Sequence, residues 1–221
     1  MSAAEIQLTE RRRRKQARPQ ELLDAALTLF VEKGFAATRA EEVAARAGVS
    51  KGTLYLYFQS KEDLLKAVIS TQLTARIADG AALADQHRGS TASLLRDLLV
   101  QWWSSLYDSP VSGVFKLIIT EVRNFPEIGQ YYNENVIDSG HELLAQIVQR
   151  GIASGEFRNV PVDSAVHSLV LPLVMLCVHH HSIGACSGSH GELDGHRFIA
   201  EHVELVLAGL CATTARAAAT S

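Results

Sequence analysis

Apolar residues recur at the spacing of an amphipathic helix along most of this chain, and no stretch alternates apolar and polar residues as a half-buried strand does. Between Leu22 and Val31 the apolar side chains repeat every three to four positions, and Lys33-Gly34 then supplies a typical helix stop. Further stripes of this kind lie near residues 91–107, 111–123, 127–154, 163–182 and 195–214. The sequence therefore predicts an all-α fold of about nine helices.

The composition is that of a globular protein with a buried core. Of the 221 residues, 47% are hydrophobic and 20% are charged, which argues against intrinsic disorder. The cysteines are Cys177, Cys186 and Cys211, an odd and scattered set that fits neither a disulfide scaffold nor a zinc motif. We therefore expect a reducing compartment.

The most apolar stretch runs from Ala165 to Val178 and is interrupted by His167 and Ser168. It is too short for a bilayer whose hydrocarbon core is roughly 30 Å thick, so we expect a buried helix and no membrane association. No apolar segment follows the basic N-terminus within the first 20 residues, although a secretory signal requires one. We expect the protein to remain in the cytoplasm.

The net charge is only −3, but its distribution is uneven. Up to Lys61 there are 11 Lys and Arg against 7 Asp and Glu, a balance of +4, whereas the remainder has 10 against 17, a balance of −7. The first 18 residues hold six basic residues without apolar periodicity, and we interpret them as a flexible basic arm; a solvated tail is the alternative. A nucleic acid would bind at this end.

Two short helices around a tight turn are predicted between Thr38 and Phe58. Thr38 and Glu41 fit a capping box at the start of the first helix, and Gly48 ends it. The second helix, from Lys51 to Phe58, follows the turn directly. This is the helix-turn-helix arrangement, in which the second helix can enter the major groove of DNA.

The side chains of the second helix divide between two faces. Leu54 and Phe58 are four positions apart and can anchor the helix inward. This leaves Lys51, Thr53, Tyr55 and Tyr57 to face outward. Gly52 costs about 1 kcal/mol relative to alanine inside a helix, a penalty that a close approach of the backbone to DNA would explain.

Residues 47–58 read AGVSKGTLYLYF and residues 60–65 read SKEDLL, and this segment closely resembles the DNA-binding signature of the TetR family. The resemblance covers about residues 19–66 and extends back through Phe30, Gly34, Phe35, Thr38 and Val43. Beyond these residues the chain matches the family only in helical layout and length.

The resemblance implies a surface for double-stranded operator DNA on this domain. Lys51 and Gly52 are expected to meet base edges, and Lys61 to hold a phosphate. The complete predicted DNA surface is Thr38, Arg39, Ser50, Lys51, Gly52, Thr53, Tyr55, Tyr57 and Lys61. The family further implies a homodimer that reads a palindrome, commonly as a repressor.

The remaining helices are predicted to form an effector domain. Their wide apolar and aromatic stripes suggest a mostly apolar pocket with a few polar groups, although ordinary core packing is the alternative at each position. The candidate lining residues are Trp102, Trp103, Phe115, Ile118, Ile119, Tyr132, Val136, Met175 and His179. The resemblance implies release of DNA when a small molecule binds, and we expect an apolar or amphipathic effector.

The last two helices are the predicted dimer interface, because two such helices from each subunit can form a four-helix seam. The residues assigned to it are Leu169, Leu173, Leu176, Phe198, Ile199, Val203, Val206 and Leu210. The predicted organisation is a basic arm over residues 1–18, a helix-turn-helix domain over 19–64, a helical ligand-binding and dimerisation domain over 65–215, and a disordered tail over 216–221.

Three other readings have weaker support. His179, His180 and His181 adjoin, with Cys186 and His190 nearby, but no His-x3-His pair is present, so we expect polar lining and neither a metal nor a cofactor. Redox switching by Cys177 or Cys186 lacks a basic neighbour other than these histidines. No Ser, Cys or His stands in a recognisable catalytic setting, so a helical enzyme is only a remote alternative.

A closer alternative keeps the fold and changes the regulation. A protein of this type can activate transcription, or can respond to a protein partner instead of a small molecule. The sequence does not separate these alternatives from repression.

Overall fold

The structure is a computed structural model that describes residues 3–186 and 193–212. It is helical throughout, with a single isolated β-bridge between Phe157 and Cys211 in the described part of the chain, which confirms the predicted all-α class. The helices are α1 (Ala3–Lys33), α2 (Ala40–Arg46), α3 (Lys51–Tyr55), α4 (Lys61–Ile69), α5 (Ala75–Gln86), α6 (Thr91–Tyr107), α7 (Gly113–Glu121), α8 (Pro126–Tyr132), α9 (Ser139–Ala153), α10 (Val162–His180), α11 (Ile183–Cys186) and α12 (Gly195–Leu210).

Two π-helical turns explain why the sequence suggested fewer and longer helices. Ser70–Thr74 continues α4 into α5, and Asn133–Asp138 continues α8 into α9. When each continuous run is counted once, the described residues form nine longer helices and the four-residue α11.

The chain divides into two compact units. Unit 1 contains Met1–Gln72 and Leu117–Tyr132, and unit 2 contains Leu73–Lys116 and Asn133–Ser221. Unit 1 therefore extends beyond the segment 19–64 that the sequence delimits. The segment Leu117–Tyr132 joins unit 1 through contacts between residues far apart in sequence. The Phe125 ring lies edge-on to Phe35, with their centroids 4.7 Å apart, and local sequence patterns do not reveal such a contact.

Helix α1 begins at Ala3, so the residues predicted to form an arm before Pro19 continue the helix in the structure. Residues 3–18 are rich in Ala, Glu, Gln and Arg, which are strong helix formers even without an apolar stripe. Pro19 consequently lies inside α1 and not at its start. The predicted tail at 216–221 lies outside the described residues.

The core of unit 1 joins α1 to the two short helices and to α4. Leu22 and Phe30 of α1, Leu54 of α3 and Leu64 of α4 are all buried. The left-handed backbone of Gly34 (φ 85°) and Gly48 (φ 67°) makes the turns that end α1 and separate α2 from α3. This core fixes the direction in which α3 presents its other face.

Helix α10 is longer than its apolar stretch suggested. Its 19 residues span about 28 Å at 1.5 Å per residue, and among the described residues it alone has the length and composition of a membrane span. The helix extends three residues before and two residues after the stretch from Ala165 to Val178 that the sequence delimits. The helix nevertheless packs in unit 2, where Leu169 and Leu173 are buried, and a core helix of a soluble protein has the same composition.

Candidate DNA interface and effector domain

Helix α2 starts one residue later than the sequence predicted. Its N-cap is Arg39, whose backbone N–H donates to Oε2 of Glu42 at 3.0 Å, so the predicted pairing of Thr38 with Glu41 is wrong. Thr38 is only 1% exposed, and its Oγ1 lies 2.8 Å from the carbonyl oxygen of Gly34. The Thr38 hydroxyl therefore stabilises the α1–α2 turn and is buried, whereas Arg39 is exposed.

Helix α3 is shorter than predicted and is capped by one of its candidate contacts. It ends at Tyr55 with Leu56 as its C-cap, and Oγ of Ser50 accepts a hydrogen bond from the backbone N–H of Thr53 at 3.1 Å. Leu54 is buried against the core, as predicted. The capping bond fixes Ser50 at the edge of the presented face.

The exposed face of α3 consists of Lys51, Gly52, Tyr55 and Leu56. Leu56 is 83% exposed and was missing from the predicted DNA surface. At 100° per residue it lies about 200° around the helix from Leu54, and it is one turn after Gly52. That angle is the signal by which the sequence could have identified it. Thr53 and Tyr57 are half-buried at the side of this face.

Gly52 is not required by packing within the protein. A Cβ atom built there would meet only Oγ of Ser50, at 3.8 Å, which is an ordinary van der Waals contact. Its backbone has no unusual φ, unlike that of Gly48. The helix-propensity cost at this position therefore has no structural compensation inside unit 1.

Lys51 pairs with Glu41 of α2. The hydrogen bond between their side chains lowers the pKa of Glu41 and raises the pKa of Lys51. Both side chains are about half exposed, so the pair contributes little to stability. Lys51 can thus exchange this carboxylate for a base edge or a phosphate at small cost.

Lys61, which the sequence assigns to a phosphate contact, has a structural role within unit 1. Its Nζ donates to the carbonyl oxygens of Phe35 (2.7 Å), Thr38 (3.1 Å) and Ala36 (3.3 Å), which matches the three donors of an ammonium group. The same Nζ lies 4.4 Å from the centroid of the Phe35 ring. Lys61 therefore holds the α1–α2 turn, with all three donors of its ammonium group used within the protein.

The predicted effector residues fall into buried and exposed groups. Trp103 is 3% exposed, and its ring stacks on that of Phe115 with centroids 5.6 Å apart. Ile118 and Tyr132 are buried but belong to unit 1. Ile119 and Met175 are exposed, so they do not line an interior pocket of one protomer; Val136 and His179 are half-buried.

Unit 2 also has an open cavity of about 620 Å³ that the sequence did not indicate. On one side of it, Arg96 of α6 and Glu204 of α12 form an ion pair. The cavity is lined by Leu83, His87, Leu94, Arg96, Asp97, Val100, Gln101, Ala200 and Glu204. None of these was predicted, because charged residues with helical spacing are typical of a solvated face.

Comparison with known proteins decides the family. Residues 22–68 match the model of bacterial regulatory proteins of the tetR family, and residues 85–184 match the tetracyclin repressor-like C-terminal domain. The HTH-type transcriptional regulator YfiR of Bacillus subtilis is 34% identical over 66% of this chain and 71% of its own length. The chain belongs to the TetR family.

Two further comparisons match this TetR-family chain to a fatty acid metabolism regulator and to a transcriptional regulator bound to an acyl-CoA. The fatty acid metabolism regulator protein of Bacillus subtilis is 30% identical over 65% of this chain and 74% of its own length. The structure of FadR from Bacillus subtilis in complex with stearoyl-CoA superposes with a TM-score of 0.72 at 23% identity, covering 86% of this chain and 98% of FadR. TetR-family proteins are DNA-binding transcriptional regulators and not enzymes, which confirms both predictions.

The dimer residues predicted for this TetR-family chain lie largely inside one protomer. Of the eight, six are at most 5% exposed, because the strongest apolar stripe of each helix packs first against its own subunit. These six are Leu169, Leu173, Leu176, Ile199, Val203 and Leu210, while Phe198 and Val206 are half-buried. The outer faces of α10 and α12 instead expose Leu171 (57%), Met175 (58%) and Leu205 (74%).

The histidine run has partners within the protein. Nδ1 of His180 lies 3.1 Å from the hydroxyl of Tyr107, and Nε2 of His181 lies 2.7 Å from Oγ of Ser112. Burial, followed by the nearby charges of His180 and Lys116, lowers the pKa of His181 to about 4, so this ring is neutral at pH 7. No group of three candidate metal ligands occurs among residues 3–186 and 193–212, and His190 lies outside them.

Cys177 is buried in α10, and burial raises the pKa of its thiol to about 12. A thiol with so little thiolate at neutral pH reacts slowly with oxidants. The cysteine therefore fills space in the core of unit 2.

Proposed function

We propose that this TetR-family regulator is a repressor that binds a palindromic operator as a homodimer in the cytoplasm and is released by an apolar or amphipathic effector. The observation that carries the proposal is the exposed face of α3, where a lysine, a tyrosine and a leucine surround a glycine that the fold does not need. Such a face fits a major groove better than it fits water.

The proposed interface consists of the exposed face of α3 together with Arg39, Ser50, Thr53 and Tyr57 at its sides. The apolar side chains exposed on α10 and α12 support dimerisation, because leucines and methionines so widely exposed on neighbouring helices are typical of a surface that a partner covers. A two-fold dimer requires two matching half-sites in the operator.

A long-chain acyl thioester is the proposed effector class. The names of the Bacillus subtilis relatives, a fatty acid metabolism regulator and a FadR bound to stearoyl-CoA, support this choice. The aromatic cluster of Trp102, Trp103 and Phe115 in unit 2 supplies apolar surface of the kind that an acyl chain needs. The effector must bind the DNA-incompetent conformation more tightly in order to shift the equilibrium.

The test begins with selection of bound duplexes from random DNA at low ionic strength, followed by fluorescence anisotropy on the recovered sequence. We expect the recovered sequence to be an inverted repeat and hexadecanoyl-CoA to release it. For each phosphate contacted, the affinity should fall by about 0.9 log units for a tenfold increase in salt concentration. Lys51→Ala serves as the binding-deficient control. Failure to enrich any duplex would contradict the DNA function, and enrichment without release would contradict the effector class.

A further inference from the structure

Helix α6 carries two buried hydrogen-bond donors without an acceptor. Among the described residues, Nε1 of Trp102 and Nε1 of Trp103 are the only buried side-chain nitrogen or oxygen atoms that lack a hydrogen-bond partner. Buried polar groups in native proteins are nearly always paired, since an unpaired donor loses its bonds to water without replacement. Two neighbouring exceptions on one helix therefore call for a functional explanation.

The surroundings of these donors are aromatic. The Trp103 ring is 5.6 Å from Phe115 at an interplanar angle of 26°, and its centroid is 5.8 Å from that of Trp102. Aromatic rings supply apolar contact but no strong acceptor in the plane of an indole N–H. The cluster thus contains two hydrogen-bond donors and no acceptor for them.

The donors restrict the chemistry of a ligand that binds there. An indole N–H donates and cannot accept, so a group that carries only donors, such as an ammonium, is not matched. The indole N–H is also neutral, so it cannot compensate the charge of a buried carboxylate. A neutral carbonyl attached to an apolar chain satisfies both conditions.

We propose that the Trp103 indole N–H, with that of Trp102 beside it, donates a hydrogen bond to the carbonyl oxygen of an effector of the ester or thioester class. This inference rests on the proposed function, in that it assigns a recognition element to the proposed effector. It makes the two tryptophans specificity-determining residues, which select an acyl derivative over a hydrocarbon of the same length.

The first experiment observes the donors directly. The chain contains only two tryptophans, so the full-length protein labelled with 15N shows two indole resonances, and Trp102→Phe assigns them. Hexadecanoyl-CoA is added, and S-hexadecyl-CoA, in which a CH2 group replaces the carbonyl, is the matched probe. We expect the thioester to shift the Trp103 N–H resonance downfield and the thioether to cause no such shift.

The second experiment compares affinities in a double cycle. The wild-type protein should bind the thioester about tenfold more tightly than the thioether, since one partner of a buried hydrogen bond is missing in the thioether complex. In Trp103→Phe the ratio should fall to about one, with thioether affinity retained. Benzothienylalanine at position 103, which keeps the shape and replaces N–H with sulfur, gives the same result if loss of the donor is the cause.

The outcomes separate this inference from the proposed function. Release of operator DNA by both probes, with equal affinities and an unmoved indole resonance, overturns the assignment of Trp103 and leaves the effector class intact. A downfield shift and a tenfold ratio without release of DNA support the assignment and contradict the proposed regulation. If neither probe binds and neither indole resonance shifts, the assignment of the carbonyl to this cluster is overturned.

Discussion

Two lysines of unit 1 show how packing divides similar residues between structure and recognition. Lys51 and Lys61 each stand at the first position of a helix that follows a capping serine. Lys51 is held by the exposed carboxylate of Glu41 and lies 5.8 Å from the centroid of the Tyr55 ring, whereas Lys61 donates to three backbone carbonyls of the α1–α2 turn. The first is free to exchange partners, and the second is part of the fold.

Lys61→Met is therefore expected to destabilise the protein without changing how it contacts phosphates. Loss of hydrogen bonds from a charged donor to three carbonyls should lower the free energy of unfolding by about 1.5–3 kcal/mol. Thermal unfolding measures this loss, and the slope of log affinity against log salt should stay at the wild-type value. Arg39→Ala is the control, with unchanged stability and a shallower slope. Wild-type stability together with a shallower slope in Lys61→Met would restore the phosphate role.

Gly52→Ala is expected to separate stability from DNA binding. The added methyl group has space in the protein and should stabilise α3 by about 1 kcal/mol, but it stands on the face that approaches DNA. We expect a higher melting temperature and an operator affinity at least about tenfold weaker, which corresponds to roughly 1.4 kcal/mol. Gly48→Ala, at φ 67°, should instead lose stability. Operator binding by Gly52→Ala at wild-type strength would contradict the proposed face.

Leu56 is expected to read the methyl group of a thymine. Apolar contact with that methyl is a common element of major-groove recognition, and Leu56 is the apolar side chain on the exposed face of α3. Replacing thymines of the half-site one at a time with deoxyuridine should weaken wild-type binding at one position, and Leu56→Ala should be insensitive there. Ile137→Ala, at an exposed position of unit 2, is the control. Equal thymine preference in Leu56→Ala and wild type would refute this contact.

At the scale of elements, the start of α6 is held by its local N-cap Ser90 and also by a carboxylate from a distant part of the sequence. Glu156 accepts from Oγ1 of Thr91 at 3.0 Å and from the backbone N–H of Ala92 at 3.2 Å. Hydrogen bonds from Thr91, led by its backbone N–H, lower the pKa of Glu156 below its ordinary value of 4.5, and the Ala92 N–H adds to this. A carboxylate at a helix N-terminus also interacts favourably with the positive end of the helix dipole. The interaction joins the end of α9 to the start of α6 within unit 2.

Glu156→Gln is expected to remove part of the acid sensitivity of folding. Because the folded pKa is lowered, the stabilisation is complete well above the ordinary value of 4.5 and is lost as the pH falls through the lower folded value. The stability difference between wild type and Glu156→Gln should be constant from pH 6 upward and should shrink below about pH 4.5. Urea unfolding over this range measures it, with Glu142→Gln as an exposed control. A difference independent of pH would contradict the capping role.

At the scale of the whole molecule, the apolar side chains exposed on α10 and α12 are the proposed dimer interface. Leu205→Glu and Met175→Glu place a charge where the proposed partner subunit would pack, and burying an unpaired charge is costly. Sedimentation velocity at micromolar concentration should show a dimer for wild type and a monomer for both variants, with weaker operator binding. Ile137→Glu, an equally apolar exposed position elsewhere in unit 2, should remain dimeric. Dimers in all variants would place the interface on another surface.

Much of the architecture follows from the sequence alone. The α6 stripe predicted near residues 91–107 matches Thr91–Tyr107, and the helix-turn-helix spacing and its family were identified from one segment. Helix periodicity, turn glycines and capping serines act between residues a few positions apart, so they can be read locally. For the same reason the buried Leu54 and the outward face around it were predictable.

The tertiary structure decided which partner each stripe and each polar group meets. Thr38 and Lys61 turned inward because acceptors at the end of α1 lie within their reach, 4 and 26 positions away in sequence. The leucines of α10 were predicted for a partner subunit and are buried in their own, leaving Leu171 and Met175 outside. A stripe specifies that a helix has an apolar side, but only the packing of distant segments determines what covers that side.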